Sequence, residues 1–180
     1  NANNVSGKLS TNNQHITITD SLNFISNVNA NQTVNITNAF TFVVDNSIPD
    51  QHQVLFDLDV TDASGNPWIS NIQVVLNAPL LGHVSFTIDD TTTGNGNGKL
   101  DAGETVDIIV EVVNSGHADI SNLLANLSSS NSYVSVTSAT SNINNLNISQ
   151  STNAVFTISI DAITPLGTLA QFPFDFGNGT

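Results

Sequence analysis

Leu9-Ser10-Thr11-Asn12-Asn13-Gln14-His15-Ile16-Thr17-Ile18-Thr19 returns 118 residues later (127 minus 9) as Leu127-Ser128-Ser129-Ser130-Asn131-Ser132-Tyr133-Val134-Ser135-Val136-Thr137. In both copies a leucine and a polar run lead into β-branched residues that alternate with Ser or Thr. That period of two belongs to a half-buried strand. Working outward, Ala39-Phe40-Thr41-Phe42-Val43-Val44-Asp45 answers to Ala154-Val155-Phe156-Thr157-Ile158-Ser159-Ile160-Asp161, and Pro49 to Pro165. Val54-Leu55-Phe56-Asp57-Leu58 answers to Phe172-Pro173-Phe174-Asp175-Phe176. Such a period is too long for a solenoid unit and suits one whole sandwich domain per repeat. An acidic stretch from Val84 to Asn122 precedes the second copy and has almost no counterpart in the first; Asp62 to Pro79 closes the first copy and has none in the second. The chain therefore reads as a window of about one and a half repeats on a longer array.

Other strands announce themselves by the same alternation. Val84, Phe86 and Ile88 share a face; so do Val106, Ile108, Val110 and Val112, with Asp107 and Glu111 opposite. Val54, Phe56, Leu58 and Val60 alternate with Leu55, Asp57 and Asp59, and Phe156, Ile158 and Ile160 with Thr157 and Ser159. Turn residues separate them at Asn27 to Asn31, Asp45 to Asp50, Ser64 to Pro67, Asn114 to Gly116 and Asn142 to Asn145. The expectation is an all-β chain of tandem immunoglobulin-like antiparallel β-sandwiches, without helices. Asn77-Ala78-Pro79-Leu80-Leu81-Gly82 supplies the boundary, giving units 1–78 and 79–180. The N-terminal sandwich is incomplete: it lacks counterparts of Val84–Ile88 and Thr105–Val113. Either the window opens part-way through a repeat, or an upstream segment or a neighbouring molecule supplies those strands.

Composition narrows the function. The 180 residues include two Lys or Arg, 15 Asp or Glu, and no Cys or Met, for a formal charge of −13. Nucleic acid and anionic membrane surfaces are engaged through Lys and Arg, and Lys8 and Lys99 are all this chain offers. Without Cys there is no disulfide, thiolate metal site or thiol nucleophile. No apolar run approaches the length of a membrane span, so no membrane insertion is expected. The reading is a soluble, extracellular chain.

Six of the 15 acidic residues lie between Asp89 and Glu111, around Asp89-Asp90-Thr91-Thr92-Thr93-Gly94-Asn95-Gly96-Asn97-Gly98-Lys99-Leu100-Asp101-Ala102-Gly103-Glu104. Calcium takes six to eight oxygen ligands from a flexible loop. With Gly98 at the sharp turn of a 12-residue calcium loop, Asn95 and Asn97 fall at the third and fifth positions, and the Lys99 carbonyl at the seventh. Leu100 takes the apolar eighth, Asp101 the ninth and Glu104 the bidentate twelfth. Thr93 occupies the first position, where Asp is wanted, so Asp89 or Asp90 has to fold back across the glycines. The expected metal set is Asp89, Asp90, Asn95, Asn97, Lys99, Asp101 and Glu104, holding a structural Ca2+ that stiffens the linker. Magnesium, which resists dehydration, fits less well. The alternative is a solvated, glycine-rich turn.

GNGNGKLDAGETVDIIVEVVNSGHADISNLLANLSSSNSYVSV (residues 94–136) and FTFVVDNSIPDQHQVLFDLDVTDASGNPW (40–68) together resemble CARDB-type cell-adhesion modules of large secreted bacterial proteins. Such modules also accompany secreted peptidases and proteins of the type IX secretion route. The resemblance covers essentially the whole chain. It implies an immunoglobulin-like sandwich without catalytic duty, at the cell surface or secreted. His52 is shifted by one from the family's usual place, and the N-terminal unit is incomplete.

Catalytic arrangements are absent from the pattern. There is no Gly-x-Ser-x-Gly elbow, and His15, His52, His83 and His117 are scattered without metal-ligand spacing. Asp57 and Asp59 share a face but sit between Phe56 and Leu58, as the outer face of an amphipathic strand would. A glycosidase needs aromatic platforms, whereas this chain has one Trp and one Tyr, and Trp68 reads as a core residue at a hairpin end. Asp20-Ser21-Leu22 and Asp90-Thr91-Thr92 resemble a short acceptor motif for O-linked glycans in bacteria of the type IX group. The expected role is a non-catalytic spacer or adhesive stalk, its partners being neighbouring repeats of the same polypeptide. The alternatives are a self-assembling subunit completed by strand donation from other copies of itself, and a carbohydrate-binding module for surface glycans.

Overall fold

β-Branched and aromatic residues in alternation, broken by Asn, Gly and Asp, leave the backbone one way to satisfy its hydrogen bonds: antiparallel ladders. The computed structural model describes residues 1–178, and its thirteen strands pair antiparallel throughout. The chain divides into two compact units, Asn1–Ala78 and Pro79–Thr180. Among the described residues no helix is long and apolar enough to cross a membrane.

The second unit contains β7 (Leu81–Asp89), β8 (Thr105–Asn114), β9 (Ile120–Leu127), β10 (Val134–Ser138), β11 (Thr140–Leu146), β12 (Ser151–Ile160) and β13 (Phe174–Asn178). They form two sheets, β10-β12-β8-β7 and β11-β9-β13. Val106, Ile108, Val110 and Val112 of β8 are all buried, with Ala154, Phe156 and Ile158 of β12 beside them. Leu123, Ala125 and Leu127 of β9 close the same core from the facing sheet. Sequestering each large apolar side chain stabilises this sandwich by about 1.5–3 kcal/mol.

The first unit contains β1 (Ala2–Ser10), β2 (Ile16–Asp20), β3 (Leu22–Val28), β4 (Thr41–Val44), β5 (His52–Thr61) and β6 (Pro67–Leu76). Its sheets run β3-β1-β5-β6 and β2-β4. Strand for strand, β1 to β5 repeat β9 to β13: the order β3-β1-β5 is that of β11-β9-β13, and β2-β4 is that of β10-β12. The β2-β4 sheet has no counterparts of β8 and β7 among the described residues. The consequence is a small buried cluster, Leu9, Val54 and Phe56, where the second unit buries a dozen residues.

Three local readings are corrected. Trp68 is 48 % exposed rather than in the core, because β6 is an edge strand and Trp68 lies at its outer end, opposite Val60. Asn142 to Asn145 is not a turn: it runs through β11, where two register shifts and Asn144 at φ 58° make a bulge. The third is the repeat spacing at β13. Leu58 lies opposite Leu9, whereas Phe174 lies opposite Leu127, so Phe174 takes the place of Leu58 and not of Phe56. The spacing there is 116 residues (174 minus 58), as it is between Pro49 and Pro165. A slip of two preserves which face each side chain occupies, which is why alternation did not reveal it.

Candidate functional site

The acidic stretch is not the linker expected from the sequence: the boundary between the units falls at Ala78–Pro79, and the stretch is the loop between β7 and β8, inside the second unit. Asp90 is 2 % exposed, and its backbone carbonyl accepts the Gly94 N–H at 2.8 Å, curling the chain back over it. Its carboxylate then accepts the Asn97 N–H at 2.9 Å and the Gly98 N–H at 3.2 and 3.3 Å. Gly96 and Gly98 make this path easy, at φ 75° and 70°, where side-chain-bearing residues are strained. The Glu104 carboxylate accepts the Asn95 N–H at 3.0 Å and the Asp101 N–H at 3.3 Å. Asp101 Oδ2 accepts both side-chain amides, Asn95 Nδ2 at 2.8 Å and Asn97 Nδ2 at 2.7 Å. Asn95 Oδ1 accepts the Asn97 N–H, and Asn97 Oδ1 the Lys99 N–H at 2.8 Å.

Five of the seven residues singled out from the sequence, Asp90, Asn95, Asn97, Asp101 and Glu104, thus form one hydrogen-bonded network. Lys99 joins it through its backbone. Asp89 stands apart: it accepts the Thr91 hydroxyl at 2.6 Å and the Thr91 N–H at 3.1 Å at the exposed end of β7. Thr93, in the first calcium-loop position, turns its hydroxyl to the Thr105 carbonyl. It is therefore Asp90 that folds back across the glycines. The far end of the loop is fastened to the sandwich by Gly103 N–H to the Ile160 carbonyl and Ile160 N–H to the Glu104 carbonyl, at 3.1 and 2.8 Å.

The electrostatics follow from these donors. The amides of Asn95 and then Asn97 hold the Asp101 carboxyl below its ordinary range, and the Lys99 charge adds to this. Asp89 is lowered by the hydroxyl and N–H of Thr91. Three carboxylates and two amide oxygens on one loop are the hard donor set that calcium takes. In this structure those oxygens face N–H groups, and among the described residues no three acidic or histidine side chains converge as a ready-made cage. Binding a cation there requires the carboxylates to exchange amide donors for the ion.

Asn114 is the residue whose part the sequence did not reveal, because Asn114-Ser115-Gly116 looked like an ordinary turn. It is fully buried at the end of β8. Its Oδ1 accepts the N–H groups of Leu80 and Gly116, and its Nδ2 donates to the carbonyls of Ala118 and Leu146. One side chain thereby brackets the start of β7, the β8–β9 turn and the end of β11.

The histidines are partly gathered. His15 and His52 meet edge-on at 5.2 Å, with Asn13 Nδ2 at 2.8 Å from His52 Nε2, whereas His83 of β7 lies edge-on to Phe174 at 6.2 Å. Asp57 points away from the core and accepts the Asn71 amide of the adjacent strand. Comparisons with protein-family models, with curated proteins and with solved structures find no match for this chain.

Proposed function

We propose that this chain is a stretch of a tandem array of immunoglobulin-like sandwiches, and that it serves as a non-catalytic spacer or adhesive stalk in a larger secreted or cell-surface protein. The observation that carries the reading is the strand-for-strand repetition of β1–β5 in β9–β13, with the same order in both pairs of sheets. A chain that repeats a whole domain gains length and valency rather than a new pocket. High net negative charge and near-absence of Lys and Arg keep such an array soluble and free of nucleic acid. The resemblance to CARDB-type modules and to proteins of the type IX secretion group points the same way.

Calcium belongs to this reading as a structural ion of the β7–β8 loop. Asp90, Asn95, Asn97, Asp101 and Glu104, with the Lys99 carbonyl, would hold it; the ion would supply positive charge to three carboxylates that share one short loop. The expected result is a calcium-dependent rise in melting temperature that Asp101→Ala combined with Glu104→Ala abolishes.

The spacer role is tested by small-angle scattering on the chain and on a version lengthened by one repeat of 116–118 residues. A stalk gains maximum dimension by about one sandwich length per repeat, whereas an unchanged maximum dimension contradicts it. A carbohydrate-binding role has half-exposed Trp68 in its favour; silence on a glycan array disposes of it.

A further inference from the structure

In the second unit the sandwich is open along one side. The gap lies between the outer edge of β7 in one sheet and the outer edge of β13 in the other. It forms an apolar groove of about 570 Å³, lined by Phe86 and Ile88 of β7, Val110 of β8, and Phe172 and Phe174 from the facing side. Phe86 pairs with buried Val110 and so faces inward, yet it is 66 % exposed. A phenylalanine on the inner face of a sandwich, left two-thirds in water, lacks its covering strand.

The first unit shows what that strand is. There β6 lies beside β5 in full register, from His52 opposite Leu76 to Thr61 opposite Pro67. Val74 and Leu76 pack on the buried cluster of Leu9, Val54 and Phe56. β5 and β13 are equivalent strands, but the second unit has no equivalent of β6 among the described residues. The lengths of the two strands agree with this. β1 pairs only with Asp57–Thr61, so the ladder of His52–Phe56 is made with β6 alone, the Thr11 hydroxyl adding one bond to the Leu55 carbonyl. Their equivalents, 168–172 at the spacing of 116, are not strand, and β13 begins only at Phe174. A strand that loses its neighbour loses the ladder that kept it extended.

We infer that the groove between β7 and β13 seats an eighth strand of β6 type, antiparallel to β13 and joined in the same polypeptide, whose inward residues match Ile72, Val74 and Leu76. On docking it extends β13 back through residues 168–172 and covers Phe86. Apolar alternation on its inner face is what the groove reads, because the ladder itself is indifferent to sequence. This inference rests on the repeat correspondence alone, and it survives even if the array proves not to be an extended spacer.

The test adds the strand to the full chain. At a spacing of 116, Thr180 corresponds to Ser64 (180 minus 116), so a copy of Gly65–Ala78 appended after Thr180 continues the repeat in register. A second version carries asparagine at the positions copied from Ile72, Val74 and Leu76. The expected result is amide exchange in residues 168–177 slowed by ~10-fold or more, and a melting temperature of the second unit raised by at least ~5 °C. The asparagine version gives neither. Unchanged exchange in 168–177, protection confined to the first unit, or equal gains from both versions overturns the inference. The same peptide added in trans, if it protects 168–177 when the appended copy does not, overturns the assignment to a joined strand and places the occupant on a neighbouring molecule.

Discussion

Gly94→Ala is the sharpest probe of how the acidic loop is built. Its backbone lies outside the left-handed region, so the substitution adds no dihedral strain and tests space alone. A β-carbon there would lie 2.7 Å from the Asp90 carbonyl oxygen and 2.7 Å from the Asp90 Cβ, with the Glu104 carboxyl carbon at 3.2 Å. The first two belong to backbone and a buried residue that cannot swing aside. Relief requires Asp90 to retreat by roughly 0.7 Å to reach ordinary van der Waals contact. Overpacking of this kind costs about 1–3 kcal/mol. The retreat also weakens the contacts of the Asp90 carboxylate with the Asn97 and Gly98 N–H groups, and a hydrogen bond to a charged group contributes about 1.5–3 kcal/mol. A loss near 3 kcal/mol lowers the melting temperature of a unit of this size by ~15 °C. Gly98→Ala is the control. Nothing lies within 4 Å of its added carbon, and its φ of 70° alone costs about 1–2 kcal/mol, or ~5–10 °C. Scanning calorimetry on the two variants separates the cases. If Gly94→Ala is no worse than Gly98→Ala, the tight wrapping of the loop around Asp90 is wrong.

Asn114→Ala should destabilise the second unit by about 3 kcal/mol in denaturant unfolding, since it strands the N–H of Gly116 and the carbonyl of Leu146 in the interior. A loss below ~1 kcal/mol would mean that those groups find other partners. Phe156→Ala, at a fully buried position of the larger core, should cost about 3–5 kcal/mol and remove the second unit's transition while leaving the first unit's Trp68 fluorescence transition in place. Loss of both transitions together would contradict two separately folding units. Acid should loosen the loop in a defined direction. The folded Asp101 carboxyl is lowered, so its stabilisation is complete above the ordinary carboxylate value of ~3.9 and disappears as pH falls through the lower folded value. The Asp101 side-chain carboxyl carbon resonance should therefore titrate with its midpoint below the ordinary ~3.9; a midpoint at or above that value would refute the assignment.

Most of the fold was legible because it depends on a signal with a period of two. Val106, Ile108, Val110 and Val112 announce a buried strand in any context, and the repetition of Leu9–Thr19 at Leu127–Thr137 announces a repeated domain. What escaped depends on longer-range competition. Asn142 to Asn145 carries turn residues, but pairing with β9 overrides local preference and absorbs Asn144 as a bulge. The two-residue slip at β13 preserved the alternation, and its trace in the sequence was only the 116-residue spacing of Pro49 from Pro165 and of Asp45 from Asp161. Trp68 is apolar enough for a core, and its exposure follows from the edge position of β6 rather than from any neighbour in sequence. Within the loop, spacing marked Asp90 to Glu104 but could not separate Asp89 from Asp90. One pairs with Thr91 at the surface and the other is buried by the glycine turn. Asn114 looks like any turn asparagine until four partners from three segments converge on it.

The central proposal is that calcium stiffens the repeat through its β7–β8 loop. The direct measurement is scanning calorimetry of the chain in millimolar calcium and again in chelator. The transition of residues 79–180 should move up in calcium by at least ~5 °C while that of residues 1–78, followed through Trp68, stays where it was. Superimposable curves, or an equal shift of both transitions, would contradict it and leave the loop as a self-contained turn held by its own amides.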